Sequence, residues 1–223
     1  MTARAGRARF AAVCFDVDST IAALEGIDWL AAQRGPTVEQ QCVGLTARAM
    51  DGEIPLDAVY LERLRAIQPT ANDLQQLGAV YVAAMEPGAD ALMRDLQAAG
   101  VVVHWISGGL RDAILPLAAH CGVPAAHVHA VELLSDASGA LVRLNGEQPL
   151  ATQYGKRTVM TGLHLPAPRA MVGDGATDAA THDLVDAFIA YTGVAHRAAV
   201  VALAQARAGT MAELRALLFT PAD

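Results

Sequence analysis

Continuous hydrophobic runs alternate with amphipathic helical patterns along most of the chain. Four runs are apolar at almost every position, a pattern typical of strands that are buried on both faces of a sheet. These runs are Phe10–Phe15, Val101–Ile106, Ala170–Val172 and Ala187–Tyr191. Because helical patterns separate them, they predict an α/β fold in which a mostly parallel sheet carries helices on both faces.

One long segment departs from this alternation, because the residues after the first strand contain only helical patterns. The pattern predicts four helices. Two of them are Ile27–Arg34 and Leu56–Ile67. Between these, Thr37 is expected to cap a helix that runs to Met50, and after them Thr70 is expected to cap a helix that runs towards Met85. We therefore predict a small helical-bundle cap domain at residues 21–85, inserted into an α/β core domain formed by residues 1–20 and 86–223.

The second half of the chain returns to strands and helices in alternation. The predicted helices are Ala89–Ala99, ended by Gly100, then Leu110–His120, Tyr154–Leu163, one helix after the third strand and two after the fourth. The looser alternation of Val128–Leu144, with Ser138-Gly139 in its middle, predicts a β-hairpin.

Composition and charge exclude several classes of protein. A chain of 223 residues, 53% of them hydrophobic, can bury a substantial core and is too apolar to be disordered. Its formal net charge of −7 argues against nucleic-acid or anionic-membrane partners. No apolar stretch is long enough to cross a bilayer, and the first run is too short for a signal peptide. Cys14, Cys42 and Cys121 are typical of reduced core thiols, so we expect a soluble, cytoplasmic protein.

Small polar clusters follow three of the buried strands. Asp16 and Asp18 follow the first strand, Ser107-Gly108-Gly109 the second, and Asp174 with Asp178 the third. Any one cluster is explained by ordinary turn chemistry. Because the carboxyl ends of parallel strands lie at one edge of a sheet, the three together predict a common site.

The two aspartates of the first cluster need a compensating charge. Side chains alternate along a strand, so Asp16 and Asp18 are expected to point to the same side. If both are ionised about 4 Å apart, their repulsion is about 4 kcal/mol at an effective dielectric constant of about 20. A proton on one of them, a metal ion, or both must offset this repulsion.

The remaining groups fit a phosphate. Lys156 and a divalent cation on Asp16 and Asp174 would supply positive charge, and carboxylate oxygens suit Mg²⁺. Backbone amides around the glycines after Ser107 can meet an oxyanion. Asp16 could then attack phosphorus, while Asp18 moves a proton. A helix–loop–helix calcium site is excluded, since its required glycine and glutamate positions hold Ile21 and Ile27, and no P-loop motif occurs.

These clusters resemble the motifs of the haloacid dehalogenase (HAD-like) superfamily. The matching segments are Asp16-Val17-Asp18-Ser19-Thr20, Ser107-Gly108-Gly109, Lys156 and Gly173-Asp174-Gly175-Ala176-Thr177-Asp178. Over nearly its whole length the chain is similar, more narrowly, to the phosphoserine phosphatase family. That narrower similarity rests on Glu25-Gly26-Ile27-Asp28, Thr46–Met50, Glu62-Arg63-Leu64 and Trp105–Gly109.

The resemblance implies a Rossmann-like three-layer core and a role for each motif residue. Asp16 would be the nucleophile and Asp18 the general acid and base. Mg²⁺ would bind Asp16, Asp174 and the backbone carbonyl of Asp18, and Asp178 would orient Lys156 and the metal's water shell. The residues implied to bind substrate are Glu25, Met50, Arg63, Ser107, Gly108, Gly109, Lys156 and Thr177.

Within that set, the resemblance divides the substrate into three parts. Ser107, Gly109 and Lys156 would hold the phosphoryl oxygens. Glu25 would meet the substrate ammonium, Arg63 its carboxylate, and Met50 would close over it. A zwitterion that carries a phosphate needs one anion and one fork-shaped cation beyond the phosphate pocket, which is consistent with these roles.

The function that the resemblance implies is the Mg²⁺-dependent hydrolysis of O-phosphoserine to serine and phosphate, the last step of serine biosynthesis. A related phosphatase for phosphohomoserine or a phosphosugar, and a non-catalytic protein that binds phosphoamino acids, are the alternatives. The expected partner is the small-molecule substrate, in a monomer or homodimer. The histidines, among them His104, His127 and His129, are expected to be scattered core or surface residues.

Overall fold

The structure is a computed structural model that describes residues 6–50, 56–135, 141–144 and 146–221. Its main sheet has six strands in the order β3-β2-β1-β6-β7-β8, and every neighbouring pair is parallel. A separate antiparallel hairpin consists of β4 and β5. The strands are β1 Ala12–Phe15, β2 Val102–Leu110, β3 Val128–Val131, β4 Leu133–Ser135, β5 Leu141–Leu144, β6 Arg169–Gly173, β7 Ala187–Tyr191 and β8 Ala206–Ala208.

The helices lie between these strands as the hydrophobic periodicity predicts, so the α/β fold is confirmed. Within the described residues they are α1 Gly26–Gln33, α2 Pro36–Met50, α3 Leu56–Ile67, α4 Ala71–Ala83, α5 Ala89–Ala98, α6 Arg111–His120, α7 Gly155–Gly162, α8 Ala176–Ala179, α9 Ala198–Val201 and α10 Met211–Leu218. No helix in the described part of the chain is both long and apolar enough to cross a membrane.

Strand β1 lies at the centre of the sheet. Its four residues are completely buried, and it pairs with β2 on one side and with β6 on the other. A strand buried on both faces needs apolar residues at every position, which explains the continuous run in the sequence. Asp16 follows Phe15 directly, so the first polar residue emerges at the carboxyl edge between two neighbouring strands.

Among the described residues, helices α1 to α4 follow β1 without an intervening strand, as predicted. Helix α1 contacts α2, α3 and α4, while α4 also packs along α6 of the strand–helix part of the chain. The helical segment is therefore joined to the sheet region through α4. Its division from residues 1–20 and 86–223 as a separate cap domain stays a prediction.

Two predicted helix caps have different outcomes. Thr70 caps α4 in a capping box, since its side chain accepts a hydrogen bond from the Asp73 backbone N–H at 3.2 Å and the Asp73 carboxylate accepts one from the Thr70 backbone N–H at 2.7 Å. Thr37 is not a cap, so that prediction was wrong. Helix α2 begins at Pro36, a residue that suits the first helical position, directly after Gly35, whose φ of +89° ends the preceding helix.

The strand predictions need three corrections. Strand β2 does not end before Ser107 but continues through the glycines to Leu110. Val128–Val131 belongs to the parallel sheet as β3, and only β4 and β5 form the hairpin; its Ser138-Gly139 turn lies outside the described residues. Strand β8, between the last two helices, was not predicted, because three residues with one arginine carry too little pattern.

Three histidines form a cluster beside β3, where the sequence predicted scattered residues. The Nδ1 of His104 lies 2.9 Å from Nε2 of His129, and the His104 ring stacks on that of His127 at 4.3 Å between centroids. Burial, with the neighbouring His127 and His129, lowers the pKa of His104 from 6.5 to about 4. His104 is therefore neutral at physiological pH.

Acid should destabilise the protein through this cluster. Because the folded-state pKa of His104 is depressed, the unfolded chain binds a proton between about pH 6.5 and about pH 4 that the folded chain does not. The contribution of His104 to the free energy of unfolding is therefore fully present above about pH 6.5 and is lost as the pH falls towards about 4. Between pH 7 and pH 4.5 we expect wild type to lose on the order of 2 kcal/mol more free energy of unfolding than His104→Asn.

Denaturant unfolding of both proteins across this pH range measures the difference. His196→Asn, which removes an exposed histidine, is the matched control and should follow wild type. Parallel pH dependence of wild type and His104→Asn would contradict the prediction.

Candidate active site

A cleft of about 240 Å³ opens where the carboxyl ends of β1, β2 and β6 meet helices α1 and α3. It brings together residues from all three clusters that the sequence singled out. The predicted site residues that line it are Asp16, Asp18, Glu25, Arg63, Gly108, Lys156, Asp174 and Thr177. The predicted convergence at one edge of the sheet is therefore confirmed.

Lys156 is the buried cation at the bottom of the site. It lies in the first turn of α7, and its Nζ is 2.7 Å from Asp16 Oδ1 and 2.6 Å from Asp178 Oδ1. Burial alone would lower the pKa of Lys156, but the two carboxylates outweigh burial and hold that pKa above its ordinary value. Lys156 is therefore a permanent positive charge beside Asp16.

Three buried carboxylates offer a site for a metal cation. Oxygen atoms of Asp16, Asp174 and Asp178 all lie within 4.8 Å of one another. Asp174 Oδ1 also accepts a hydrogen bond from the Thr20 hydroxyl at 3.4 Å. Clustered carboxylate oxygens are the donors that hard divalent cations prefer, so this set fits such an ion.

Asp18 makes a different set of contacts from Asp16. Its Oδ1 accepts hydrogen bonds from the Tyr81 hydroxyl at 2.6 Å and from the Gly26 backbone N–H at 3.1 Å. Burial, with the charges of Glu25 and Asp16, raises the pKa of Asp18 to about 7. The repulsion that the sequence predicts is therefore relieved by a proton, and Asp18 is the group that carries it near neutral pH.

Gly26 and Gly109 allow the backbone to lie close to Asp18 and Tyr81. A Cβ atom at Gly26 would collide with the Tyr81 hydroxyl, and one at Gly109 would lie 2.9 Å from Asp18 Oδ2. A larger residue at Gly26 would displace the Tyr81 hydroxyl that contacts Asp18, and one at Gly109 would displace the Asp18 carboxylate itself.

The Ser107 motif differs in detail from the expected oxyanion cradle. Ser107 is buried, and its Oγ accepts a hydrogen bond from the Gly109 backbone N–H at 2.9 Å. Gly108 is the residue of this motif that lines the cleft. The Gly109 amide thus has an internal partner, because β2 stays extended through both glycines.

The inserted segment contributes charged groups at the mouth of the cleft. Ser19 donates a hydrogen bond of 2.7 Å to Glu25 Oε1, and Nη2 of Arg197 lies 3.6 Å from the same oxygen. Arg197 also forms an ion pair with Asp174. On α3, Arg63 forms an ion pair with Asp28.

Some residues at this site carried no sequence signal. Tyr81, Tyr60 and Arg197 were not predicted, since each looks like an ordinary helix or loop residue until its neighbours are known. Asp28 belongs to a matched segment but was given no role. Met50 ends α2, and its side chain lies outside the described residues.

Known proteins of similar sequence share one name. The chain is 39% identical to the phosphoserine phosphatase of Homo sapiens over 186 residues, which are 82% of this chain and 81% of the human protein. It is 36% identical to the chloroplastic phosphoserine phosphatase of Arabidopsis thaliana over 196 residues, or 86% of this chain and 66% of the plant protein. No family model matches the chain.

One solved structure of similar fold has a related description. A phosphoserine phosphohydrolase-like protein from Francisella tularensis superposes with a TM-score of 0.82 at 25% identity, covering 93% of this chain and 99% of that one. Sequence similarity over four-fifths of both chains, together with the same fold, establishes the relationship. The chain belongs to the phosphoserine phosphatase family.

Proposed function

We propose that the protein hydrolyses O-phosphoserine to serine and inorganic phosphate through a phosphoryl group carried on Asp16. The observation that supports this most directly is the contact between Lys156 and Asp16 at the carboxyl edge of the sheet. A carboxylate beside a buried ammonium can meet a phosphate whose charge that ammonium partly neutralises.

The reaction has two balanced steps. In the first, an Asp16 oxygen attacks phosphorus, the bond between phosphorus and the serine oxygen breaks, and Asp18 gives its proton to that oxygen. In the second, Asp18 takes a proton from water, the water oxygen attacks phosphorus, and the bond to Asp16 breaks. Tyr81 and the Gly26 amide orient Asp18 for both transfers.

The cluster of buried carboxylates is where Mg²⁺ would bind in this proposal. Asp16, Asp174 and the backbone carbonyl of Asp18 would hold Mg²⁺, and Asp178 would orient Lys156, with which it forms a 2.6 Å ion pair. Bound Mg²⁺ would offset negative charge on the phosphoryl oxygens. The fit rests on Asp16 and Asp174, two of the three buried carboxylates whose oxygens lie within 4.8 Å of one another.

The groups near the mouth of the cleft account for the amino-acid part of the substrate. Glu25 would bind the ammonium and Arg63 the carboxylate, while Ser107, Gly108, Gly109 and Thr177 would surround the phosphoryl group. Met50 and the rest of residues 21–85 would close over it and exclude bulk water. A cytoplasmic location and a monomeric or homodimeric state complete the proposal.

A phosphate-release assay on a panel of monoesters tests the function. Wild type should turn over O-phosphoserine faster than phosphohomoserine, phosphosugars or phosphoethanolamine. Phosphosugars and phosphoethanolamine lack the carboxylate that Arg63 would bind, and phosphohomoserine places its ammonium and carboxylate one methylene farther from the phosphate. Asp16→Asn should lose at least about 10³-fold in kcat, since it removes the nucleophile. Faster turnover of a phosphosugar would favour the sister-phosphatase alternative, and no turnover with tight binding would favour the non-catalytic one.

Metal removal should abolish activity. In excess chelator phosphate release should stop, and added Mg²⁺ should restore it, whereas Ca²⁺, which prefers more ligands at longer distances, should restore less. Mg²⁺ should also raise the thermal unfolding midpoint, an effect that Asp174→Asn should diminish. Full activity in chelator would contradict the metal assignment.

Removal of the Tyr81 hydroxyl should slow turnover without weakening substrate binding. Tyr81→Phe deletes one of the two hydrogen bonds that orient Asp18, so we expect kcat to fall roughly 10-fold with KM nearly unchanged. Tyr154→Phe removes a hydroxyl from an exposed ring and is the matched control. A wild-type kcat in Tyr81→Phe would show that Asp18 does not depend on this contact.

A further inference from the structure

Two polar atoms on one face of α3 are buried without a hydrogen-bond partner. They are the Tyr60 hydroxyl and the Arg63 Nε, and neither has a partner among the residues that the structure describes. Residues three positions apart are neighbours on a helix surface, so the two groups lie side by side. An unpaired buried donor is costly, and such atoms in a cleft indicate a place for a ligand.

Both residues line the candidate active site. They stand in the same cleft as Asp18, Glu25 and Lys156, on the side formed by the inserted helices. Burial and the negative charge of Asp18 raise the pKa of Tyr60. The phenol therefore stays protonated and is a hydrogen-bond donor at neutral pH.

The other cationic groups of the cleft are already engaged. Lys156 contacts Asp16 and Asp178, and Arg197 contacts Asp174 and Glu25. One terminal nitrogen of Arg63, Nη2, contacts Asp28, and its Nε has no partner among the described residues. Among the described residues that line the cleft, Tyr60 and Arg63 thus offer an unpartnered pair of donors.

An anion is the ligand that this pair would accept. One donor is neutral and the other is cationic, and two adjacent donors match the two oxygens of a carboxylate. Near the sheet edge, the carboxylates of Asp16, Asp18 and Asp174 would disfavour a second anionic group beside the phosphate. A phosphoryl group would lie instead next to Lys156 and Asp16, at the sheet edge.

We propose that the Tyr60 hydroxyl binds the substrate's α-carboxylate together with Arg63 Nε, and so helps to select an amino-acid phosphomonoester over one without a carboxylate. This rests on the proposed function, and it adds a specificity-determining residue to the predicted set. Tyr60 supplies no proton to the reaction and contacts no reacting atom. Its loss should therefore weaken binding more than turnover.

Steady-state kinetics with two substrates test the proposal. O-Phosphoserine and O-phosphoethanolamine differ only in the carboxylate. Tyr60→Phe should lower kcat/KM for phosphoserine roughly 10-fold, mostly through KM, and should change it less than about 2-fold for phosphoethanolamine. Tyr154→Phe should leave both substrates unchanged. Equal losses on both substrates, a fall in kcat alone, or no change would overturn the proposal.

Direct binding keeps this test independent of catalysis. Calorimetric titration of Asp16→Asn and of Asp16→Asn/Tyr60→Phe with both esters measures affinity without turnover. The double variant should bind phosphoserine roughly 10-fold more weakly and phosphoethanolamine equally well. Equal affinities of both variants for phosphoserine would overturn the proposal, whereas a wild-type protein that binds phosphoserine but hydrolyses no monoester would contradict only the proposed function. Matching thermal midpoints with and without the Tyr60 change verify that the fold is intact.

Discussion

The buried ammonium of Lys156 is the charge on which the site depends. An isolated ammonium at this depth would be costly, because desolvation disfavours the charged form. Asp16 and Asp178 compensate it at 2.7 and 2.6 Å, and the same contacts hold the Asp16 carboxylate at the sheet edge. Loss of either partner would leave an uncompensated charge in the interior. The electrostatic balance that preserves the fold here is thus also the one that prepares Asp16 to meet a phosphate.

The parallel sheet gathers these charges from distant parts of the chain. Strands β1 and β6 are neighbours although more than 150 residues separate them, and their register sets Phe15 beside Val172. Asp16 and Asp174 therefore emerge at one edge. The inserted helices complete the arrangement from the other side, since α4 packs on α6 and carries Tyr81 to within 2.6 Å of Asp18. Proton transfer by Asp18 consequently depends on contacts that cross between the helical segment and the sheet.

The cleft combines two electrostatic environments. At the sheet edge, the carboxylates of Asp16, Asp174 and Asp178 outnumber the single ammonium of Lys156, and a divalent cation would add the positive charge that a phosphate requires. Towards α3, the polar groups are donors, and Asp28 takes up only part of the hydrogen-bonding capacity of Arg63. Glu25 lies at the mouth, held by Ser19. A substrate that has a phosphate at one end and a zwitterion at the other matches this division of charge.

The α/β alternation, the helical segment after β1 and the acidic, serine and lysine positions of the site could be predicted from the sequence. These follow from short-range patterns, since continuous burial, helix periodicity and the polar residues after a strand are all visible within a few positions. The continuation of β2 past Ser107 and the place of β3 in the sheet became visible only in the folded chain, as did the positions of Tyr60 and Arg197 in the cleft and the contact of Tyr81 with Asp18. The same holds for the histidine cluster. Each of these depends on a partner far along the chain, and a single side chain carries no record of which distant residue it will contact.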